Sequence, residues 1–216
     1  VPERPGIPVD FLSGDYLGNA SISTARLDGR YLASVGKPWD LMAWSFTTKP
    51  GKGGSNRKSV AQLQREAAAV VALGGGFQAY FTQNRDGSVR EAELPVMAAV
   101  AQFCRERQAV CHRAETVPQI ALLYSTAAHY RQINGLFNRD LAQLQGTLQA
   151  LLESQCVVDV VSEHHLAGRM AAYPLIIVPE TDYLEPAFRR ELVTYVRKGG
   201  RLLLIEGRWH TGSGLS

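Results

Sequence analysis

The chain has 216 residues, 45% of them hydrophobic and 20% charged, which suits one large or two small globular domains and argues against disorder. The net charge of +3 comes from 23 basic and 20 acidic residues without a dense basic run, so nucleic acid is a poor candidate partner. No stretch approaches the ~20 consecutive apolar residues of a membrane-spanning helix, so we expect no membrane contact.

The first half of the chain predicts two βα units behind a long leader rich in Gly, Asp and aromatic residues. Helical periodicity over 59–73 ends at Gly74-Gly75-Gly76, which supplies the cap and the turn into a strand over 77–82. A turn at 84–87 and an amphipathic helix over 94–107 follow. A parallel sheet built from these two βα units alone would have exposed edges. We therefore expect either upstream strands or another packing partner.

The second half alternates short apolar runs with amphipathic segments. Continuous apolar strands are typical of a parallel sheet covered on both faces, and the alternation predicts right-handed crossovers. We therefore predict a flavodoxin-like, doubly wound α/β layer of four strands, with a domain boundary that separates 1–115 from 116–216. The predicted strands cover 119–125, 156–161, 175–178 and 201–205, and the predicted helices cover 139–154, 163–167 and 185–198.

Cysteine and histidine spacing predicts neither disulfides nor a metal site. The chain has 3 cysteines, too few for a disulfide framework. Cys156 opens an apolar run and is expected to be buried, while Cys104 and Cys111 are two helical turns apart and could pair only if the helix broke between them. The pair His164-His165 lacks partners at ligand spacing and is expected to be exposed or capping. We predict no metal and no cofactor.

Two segments of the leader carry the candidate site residues. Trp39 and Trp44 beside Asp40 suit sugar binding, because an aromatic face packs on the C–H side of a pyranose while a carboxylate bonds its hydroxyls. Alternatively, both tryptophans fill a core and Asp40 caps a turn. Asp15 and Asp40 form a candidate carboxylate pair, and glycoside hydrolysis needs two carboxyl groups roughly 5–10 Å apart. An aspartate in a Gly-containing loop is also a common turn residue.

Two other segments have weaker signals. Gly51-Lys52-Gly53-Gly54-Ser55 looks like a phosphate loop but lacks the required order of residues, which favours a plain loop. Glu206-Gly207-Arg208 follows a predicted strand, at the end of a parallel sheet where ligands often bind, but Glu206 could equally cap a turn.

The second half resembles the trimerisation domain behind the catalytic barrel of bacterial β-galactosidases. The matching segments are QIALLYS, CVVDVV, YPLIIVPETDYL and LVTYVRKGGRLLLIEG. That domain has the class I glutamine amidotransferase fold without its activity. An active amidotransferase places a cysteine after the strand that corresponds to 202–205, whereas this chain reads EGRWHTG there. The resemblance implies an assembly role and a homo-oligomer.

The first ~115 residues are similar to the last part of the (β/α)8 barrel of the α-L-fucosidase family. The similarity covers Gly14-Asp15-Tyr16, Trp39-Asp40, Trp44-Ser45-Phe46 and the helix–strand–helix run over 61–107. Catalytic residues of such barrels lie at the carboxyl ends of strands. The resemblance implies a carbohydrate substrate contacted by Tyr16, Trp39 and Trp44.

The fucosidase pattern also departs from this chain. After Gly-Asp-Tyr, that family has a Thr-Pro-Glu element whose glutamate serves as acid/base, but Leu17-Gly18-Asn19-Ala20 follows here. The family's nucleophilic aspartate belongs to an earlier strand. The resemblance therefore implies flanking active-site positions for Asp15 and Asp40.

We expect the C-terminal region of a retaining glycoside hydrolase, α-L-fucosidase-like or β-galactosidase-like, which begins inside one domain and ends inside another. It would supply one wall of a sugar pocket and an assembly domain, and would be inactive alone. One alternative is a flavodoxin-like oligomerisation module. Another is flavin or nucleotide binding, for which the loop Ser125-Thr126-Ala127-Ala128 would have to hold phosphate without a glycine. A periplasmic or secreted location would require an upstream leader.

Overall fold

The computed structural model describes residues 8–16, 20–48, 54–131, 141–179 and 182–205. Contacts within the chain divide it into two compact units, an N-terminal unit of Val9–Thr116 and a C-terminal unit that starts at Val117. Across the described ranges, no helix has the length and apolarity needed to cross a bilayer. The segment EGRWHTG and most of the Gly51–Ser55 loop lie outside these ranges.

The N-terminal unit is a three-stranded parallel sheet with crossover helices. Its strands pair in the order β1, β2, β5, and an antiparallel hairpin of β3 and β4 follows β2 directly. Such βα units form a segment of a (β/α)8 barrel. The elements are β1 (Leu12–Tyr16), α1 (Ser21–Ser34), β2 (Trp39–Trp44), β3 (Phe46–Thr48), β4 (Ser55–Arg57), α2 (Val60–Val71), β5 (Gly76–Tyr80) and α3 (Leu94–Cys111).

The part of this unit that was predicted as a leader contains most of its sheet. Strand β1 has the sequence LSGDY, in which polar residues hide the apolar alternation of a strand. Helix α1 begins after Ala20, whose side chain cannot cap it. By contrast, α2 has the capping box of Ser59 and Gln62, which makes its start readable from the sequence.

Helices cover one face of the N-terminal sheet. Strand β2 alternates, so that Leu41 and Ala43 are buried while the residues between them are half-exposed. The apolar cluster on the helix side joins these two residues to all three helices. Its buried members are Ala25, Leu41, Ala43, Leu63, Val70 and Val100.

The C-terminal unit is a four-stranded parallel sheet in the order β7, β6, β8, β9. The predicted α/β class with a flavodoxin-like parallel layer is confirmed, because β6, β7 and most of β8 are buried, as a sheet covered on both faces requires. The short helix α4 was not predicted. The elements are β6 (Ile120–Leu123), α4 (Thr126–Arg131), α5 (Ala142–Glu153), β7 (Val158–Val161), α6 (Glu163–Leu166), β8 (Leu175–Val178), α7 (Pro186–Arg197) and β9 (Arg201–Leu204).

The expectation for one cysteine is wrong. Cys156 is half-buried and lies before β7 rather than within it. It belongs to the connection from α5, where Gln155 takes a left-handed conformation with φ of 59°. Helix α3 continues unbroken from Leu94 to Cys111, so Cys104 and Cys111 stay two turns apart on one helix. His165 has a capping role, since its Nδ1 accepts a 3.2 Å hydrogen bond from the Ser162 N–H.

Candidate functional site

Three aromatic side chains meet where β2 and β5 end, and we call Trp44, Phe46 and Tyr80 the aromatic wall. Trp44 and Tyr80 are register partners, so their side chains share one face of the sheet. The ring centroids of Trp44 and Phe46 are 5.4 Å apart, and those of Phe46 and Tyr80 are 6.0 Å apart. Tyr80 is 39% exposed, so this edge of the wall is open to solvent.

A hydrogen-bonded polar triad of Ser13, Asp40 and Gln78 lies on the same face, near the amino end of β2. Ser13 Oγ donates to Asp40 Oδ1 over 2.6 Å, and Gln78 Nε2 donates to Asp40 Oδ2 over 2.7 Å. Gly76 is the register partner of Asp40, and the absence of a side chain there lets Gln78 reach back from the next position on that face. Both carboxylate oxygens of Asp40 are therefore engaged by neighbouring strands.

The two candidate carboxylates occupy different levels of the sheet. Asp15 is exposed near the carboxyl end of β1 and is the register partner of Met42, two residues beyond Asp40. Strand geometry puts the Asp15 and Asp40 Cα atoms about 8 Å apart. Asp40 lies four residues before Trp44, or about 13 Å along the strand, so Asp15 is the carboxylate nearer the level of the aromatic wall. Tyr16 ends β1, and its side chain lies outside the described part.

Trp39 is separated from Trp44 by the sheet itself. Five residues apart on one strand, the two side chains point to opposite faces. Trp39 packs with the apolar cluster on the helix side, and a Cβ added to Gly75 would lie 2.3 Å from its ring. The structure thus brings Asp15, Asp40 and Trp44 to one face and places Trp39 on the other.

Sequence reasoning missed Phe46, Tyr80, Ser13 and Gln78 as members of this face. The available signal was the alternation within β2, since even-numbered residues from 40 to 44 share a face. The same periodicity in the predicted strand over 77–82 pairs Gln78 with Tyr80. Which residues lie opposite each other depends on strand register, which cannot be read from the sequence.

A second cluster lies where β6 and β7 end in the C-terminal unit. The Glu163 carboxylate accepts hydrogen bonds from Ser125 Oγ and, over 2.8 Å, from the Thr126 N–H. Ser125 Oγ also accepts a 3.0 Å hydrogen bond from the Ala128 N–H. The Ser125 hydroxyl and the Thr126 N–H, two of the groups that would have to hold a phosphate after β6, are thus engaged by a carboxylate of the same chain, which speaks against flavin or nucleotide binding at this loop.

A metal centre is not formed by the residues that the structure describes, since no group of three or more His, Cys, Asp or Glu side chains is placed to hold an ion. The cysteine of the C-terminal unit, Cys156, lies before β7, whereas ligands of open parallel sheets bind beyond the carboxyl ends of strands. This position does not suit a nucleophile at the crevice of such a sheet.

No family model matches the chain, and no curated protein matches it. Among solved structures, the α-L-fucosidase isoenzyme 2 of Paenibacillus thiaminolyticus superposes with a TM-score of 0.73 at 19% identity, covering 90% of this chain and 29% of that one. The β-galactosidase of Rahnella sp. R3 gives 0.67 at 16% identity, covering 91% and 33%. That of Halorubrum lacusprofundi gives 0.64 at 16% identity, covering 85% and 29%.

These similar structures are glycoside hydrolases, and the likeness at such identities is one of fold. It extends over both units, because the shared region covers 90% of the chain in the fucosidase comparison. The chain spans about a third of the length of these proteins or less, as the 29% and 33% shares show.

Proposed function

We propose that this chain is part of a carbohydrate-active glycoside hydrolase, α-L-fucosidase-like or β-galactosidase-like. Residues 1–115 would be the last segment of its (β/α)8 barrel, and residues 116–216 a non-catalytic assembly domain of the trimerisation type. The observation that carries the proposal is the aromatic wall at the carboxyl ends of β2 and β5. Sugar-binding sites of barrel enzymes lie at this end of the sheet.

The wall suits the apolar face of a pyranose. Trp44 and Tyr80 share a face of the sheet, and Phe46 lies between their rings. Aromatic rings pack on sugar C–H groups, and a carboxylate on the same face accepts hydrogen bonds from hydroxyls. Asp15 is exposed and can serve as that acceptor. Trp39, on the helix side, would support the sheet from beneath.

The chain alone would bind sugar without hydrolysing it. A retaining mechanism needs a nucleophile and an acid/base. Asp40 already accepts hydrogen bonds at both oxygens from Ser13 and Gln78, which fits a structural role near the amino end of β2. Asp15 would then be the one candidate carboxylate of β1 and β2 near the wall, and the second catalytic group would come from another strand.

A binding experiment tests the proposal. Methyl α-L-fucoside and methyl β-galactoside are titrated into the full chain and followed by saturation-transfer NMR. We expect weak binding of one glycoside that Trp44→Ala abolishes and that Trp39→Phe, a conservative change on the other face, leaves in place. No transfer to either sugar, or equal loss in both variants, would refute an aromatic sugar site on this sheet.

Self-association through the C-terminal unit is the second candidate function. Helix α7 buries Phe188, Leu192 and Tyr195 against the sheet, but Val196 is 43% exposed. Leu203 and Leu204 of the edge strand β9 are each 47% exposed, and as consecutive strand residues they lie on opposite faces of the sheet. We expect light scattering to give an oligomer that Val196→Asp dissociates. A monomer at high concentration would count against an assembly role.

A further inference from the structure

Lys58 is buried where the β3–β4 hairpin returns to α2. The side chains of Lys58 and Glu66 are 1% and 3% exposed, and Lys58 Nζ lies 2.8 Å from Glu66 Oε1 and 3.0 Å from Oε2. Ser21, at the start of α1, donates a 2.5 Å hydrogen bond to the same Oε1. One carboxylate on α2 therefore holds both the base of the hairpin and the first turn of α1.

The backbone of Lys58 leads directly to the aromatic wall. Its N–H donates a 2.8 Å hydrogen bond to the carbonyl of Ser45, and the Ser45 N–H donates a 2.9 Å bond to the carbonyl of Tyr80. Ser45 is buried at the bend between Trp44 and Phe46. Two backbone hydrogen bonds thus join Lys58 to the bend that separates two wall residues and to the strand that carries the third.

The neighbouring residue anchors the hairpin in another direction. Arg57 Nε lies 3.0 Å from Glu93 Oε1, and Glu93 belongs to the short 3-10 turn that precedes α3. The Arg57 side chain is 58% exposed, so this pair is screened by solvent, whereas the Lys58–Glu66 pair is not. Of the two ion pairs, the buried Lys58–Glu66 pair therefore depends more strongly on the distance between its charges.

A buried ion pair is an inefficient source of stability. The cost of removing both charges from water offsets much of their attraction, and apolar residues of similar volume often serve stability equally well. The ion pair instead restricts the position of the Lys58 side chain, because Nζ must stay within hydrogen-bonding distance of both Glu66 oxygens. That property suits a contact that fixes the position of a loop.

We propose that Lys58 is a positioning residue of the sugar site. Its ion pair with Glu66 holds the hairpin base in place, so that Phe46 packs between Trp44 and Tyr80 and the three rings form one surface. Lys58 acts through the wall and does not itself touch sugar. The inference rests on the proposed function, since it assigns a purpose to the wall described there.

The double variant Lys58→Met/Glu66→Met tests this role, because it removes both charges and leaves no unpaired one. The full chain is labelled with fluorotryptophan, and the Trp44 signal is assigned through Trp44→Phe. We expect a folded protein whose Trp44 fluorine signal shifts or broadens while that of Trp39 does not. Glycoside affinity should fall about tenfold, the scale of one aromatic contact. Lys37→Met, which removes the charge of a half-buried lysine near the start of β2, is the control and should change neither readout.

An unchanged Trp44 signal in the folded double variant would overturn the proposal. If the double variant does not fold, Lys58→Met/Glu66→Gln also removes both charges and keeps an acceptor for Ser21, with the same Trp44 change expected. The fluorine readout does not depend on sugar. If the unmodified chain binds no glycoside, the proposed function fails, while the Trp44 signal still decides whether Lys58 positions the wall.

Discussion

Gln78 donates a 2.7 Å hydrogen bond to Asp40 across β2 and β5, and this contact separates the two carboxylates that the sequence offers as a pair. Ser13 takes the other Asp40 oxygen, so Asp40 links all three strands of the sheet. Asp15 lies two register positions further along, opposite Met42, and is therefore the closer of the two aspartates to the aromatic wall. The two aspartates therefore have different expected roles.

Substitution of the two aspartates should affect stability unequally. Asp40→Ala removes two charge-assisted hydrogen bonds and should lower the free energy of unfolding by about 1–2 kcal/mol. Asp15→Ala changes an exposed residue and should stay within about 0.5 kcal/mol. Urea unfolding of the full chain measures both. Equal losses would mean that the triad contributes nothing specific to the sheet.

Tyr173 should make the C-terminal unit sensitive to high pH. Burial, followed by the nearby Asp159 carboxylate, raises the pKa of Tyr173 from 10.0 to about 12. Because the folded pKa is the higher one, this contribution to stability is complete below pH 10 and is lost as the pH rises towards 12.

Tyrosinate absorbance and unfolding midpoints across that pH range measure the effect. Tyr173→Phe should reduce by one the number of tyrosines that titrate near pH 12 and flatten the decline in stability. The assignment would be contradicted if as many tyrosines titrated near pH 12 in the variant as in the unmodified chain.

Two glycine substitutions should have opposite signs. In Gly75→Ala the new Cβ would lie 2.3 Å from the Trp39 ring, so the ring must move, at a cost of about 1–3 kcal/mol. Gly146→Ala, within α5, meets no atom within 4 Å and should stabilise by about 0.5–1 kcal/mol through helix propensity. Thermal unfolding compares them. A neutral Gly75→Ala would show that Trp39 is not held against this turn.

The Cys104 thiol should alkylate slowly at mildly alkaline pH. Burial raises the pKa of Cys104 above its ordinary 9.0, and the nearby Arg107 partly opposes that rise. Since the thiolate is the reactive form, Arg107→Gln should slow the reaction further. Peptide mapping by mass spectrometry gives the rate, with Arg105→Gln as the control. Faster reaction in Arg107→Gln would reverse the expected sign.

The strands of the C-terminal unit could be predicted from the sequence, because segments such as LIIV and VDVV are short, largely apolar runs bounded by turns. In the N-terminal unit, β5 was predicted as well, but β1 and α1 were not, since LSGDY carries the polar residues of an open face and α1 lacks a capping side chain. The odd spacing of Trp39 and Trp44 would have placed them on opposite faces once a strand was recognised there. The Lys58–Glu66 pair follows no helical or strand period and depends on tertiary packing.

Amide chemical shifts of the full chain, recorded as a methyl glycoside is added, would show whether sugar binds at the aromatic wall. We predict that the methyl glycoside perturbs the amides of Asp15, Trp44, Phe46 and Tyr80 and leaves those of β6 to β9 unchanged. Perturbations confined to the C-terminal unit, or none at high sugar concentration, would contradict a sugar site at the aromatic wall.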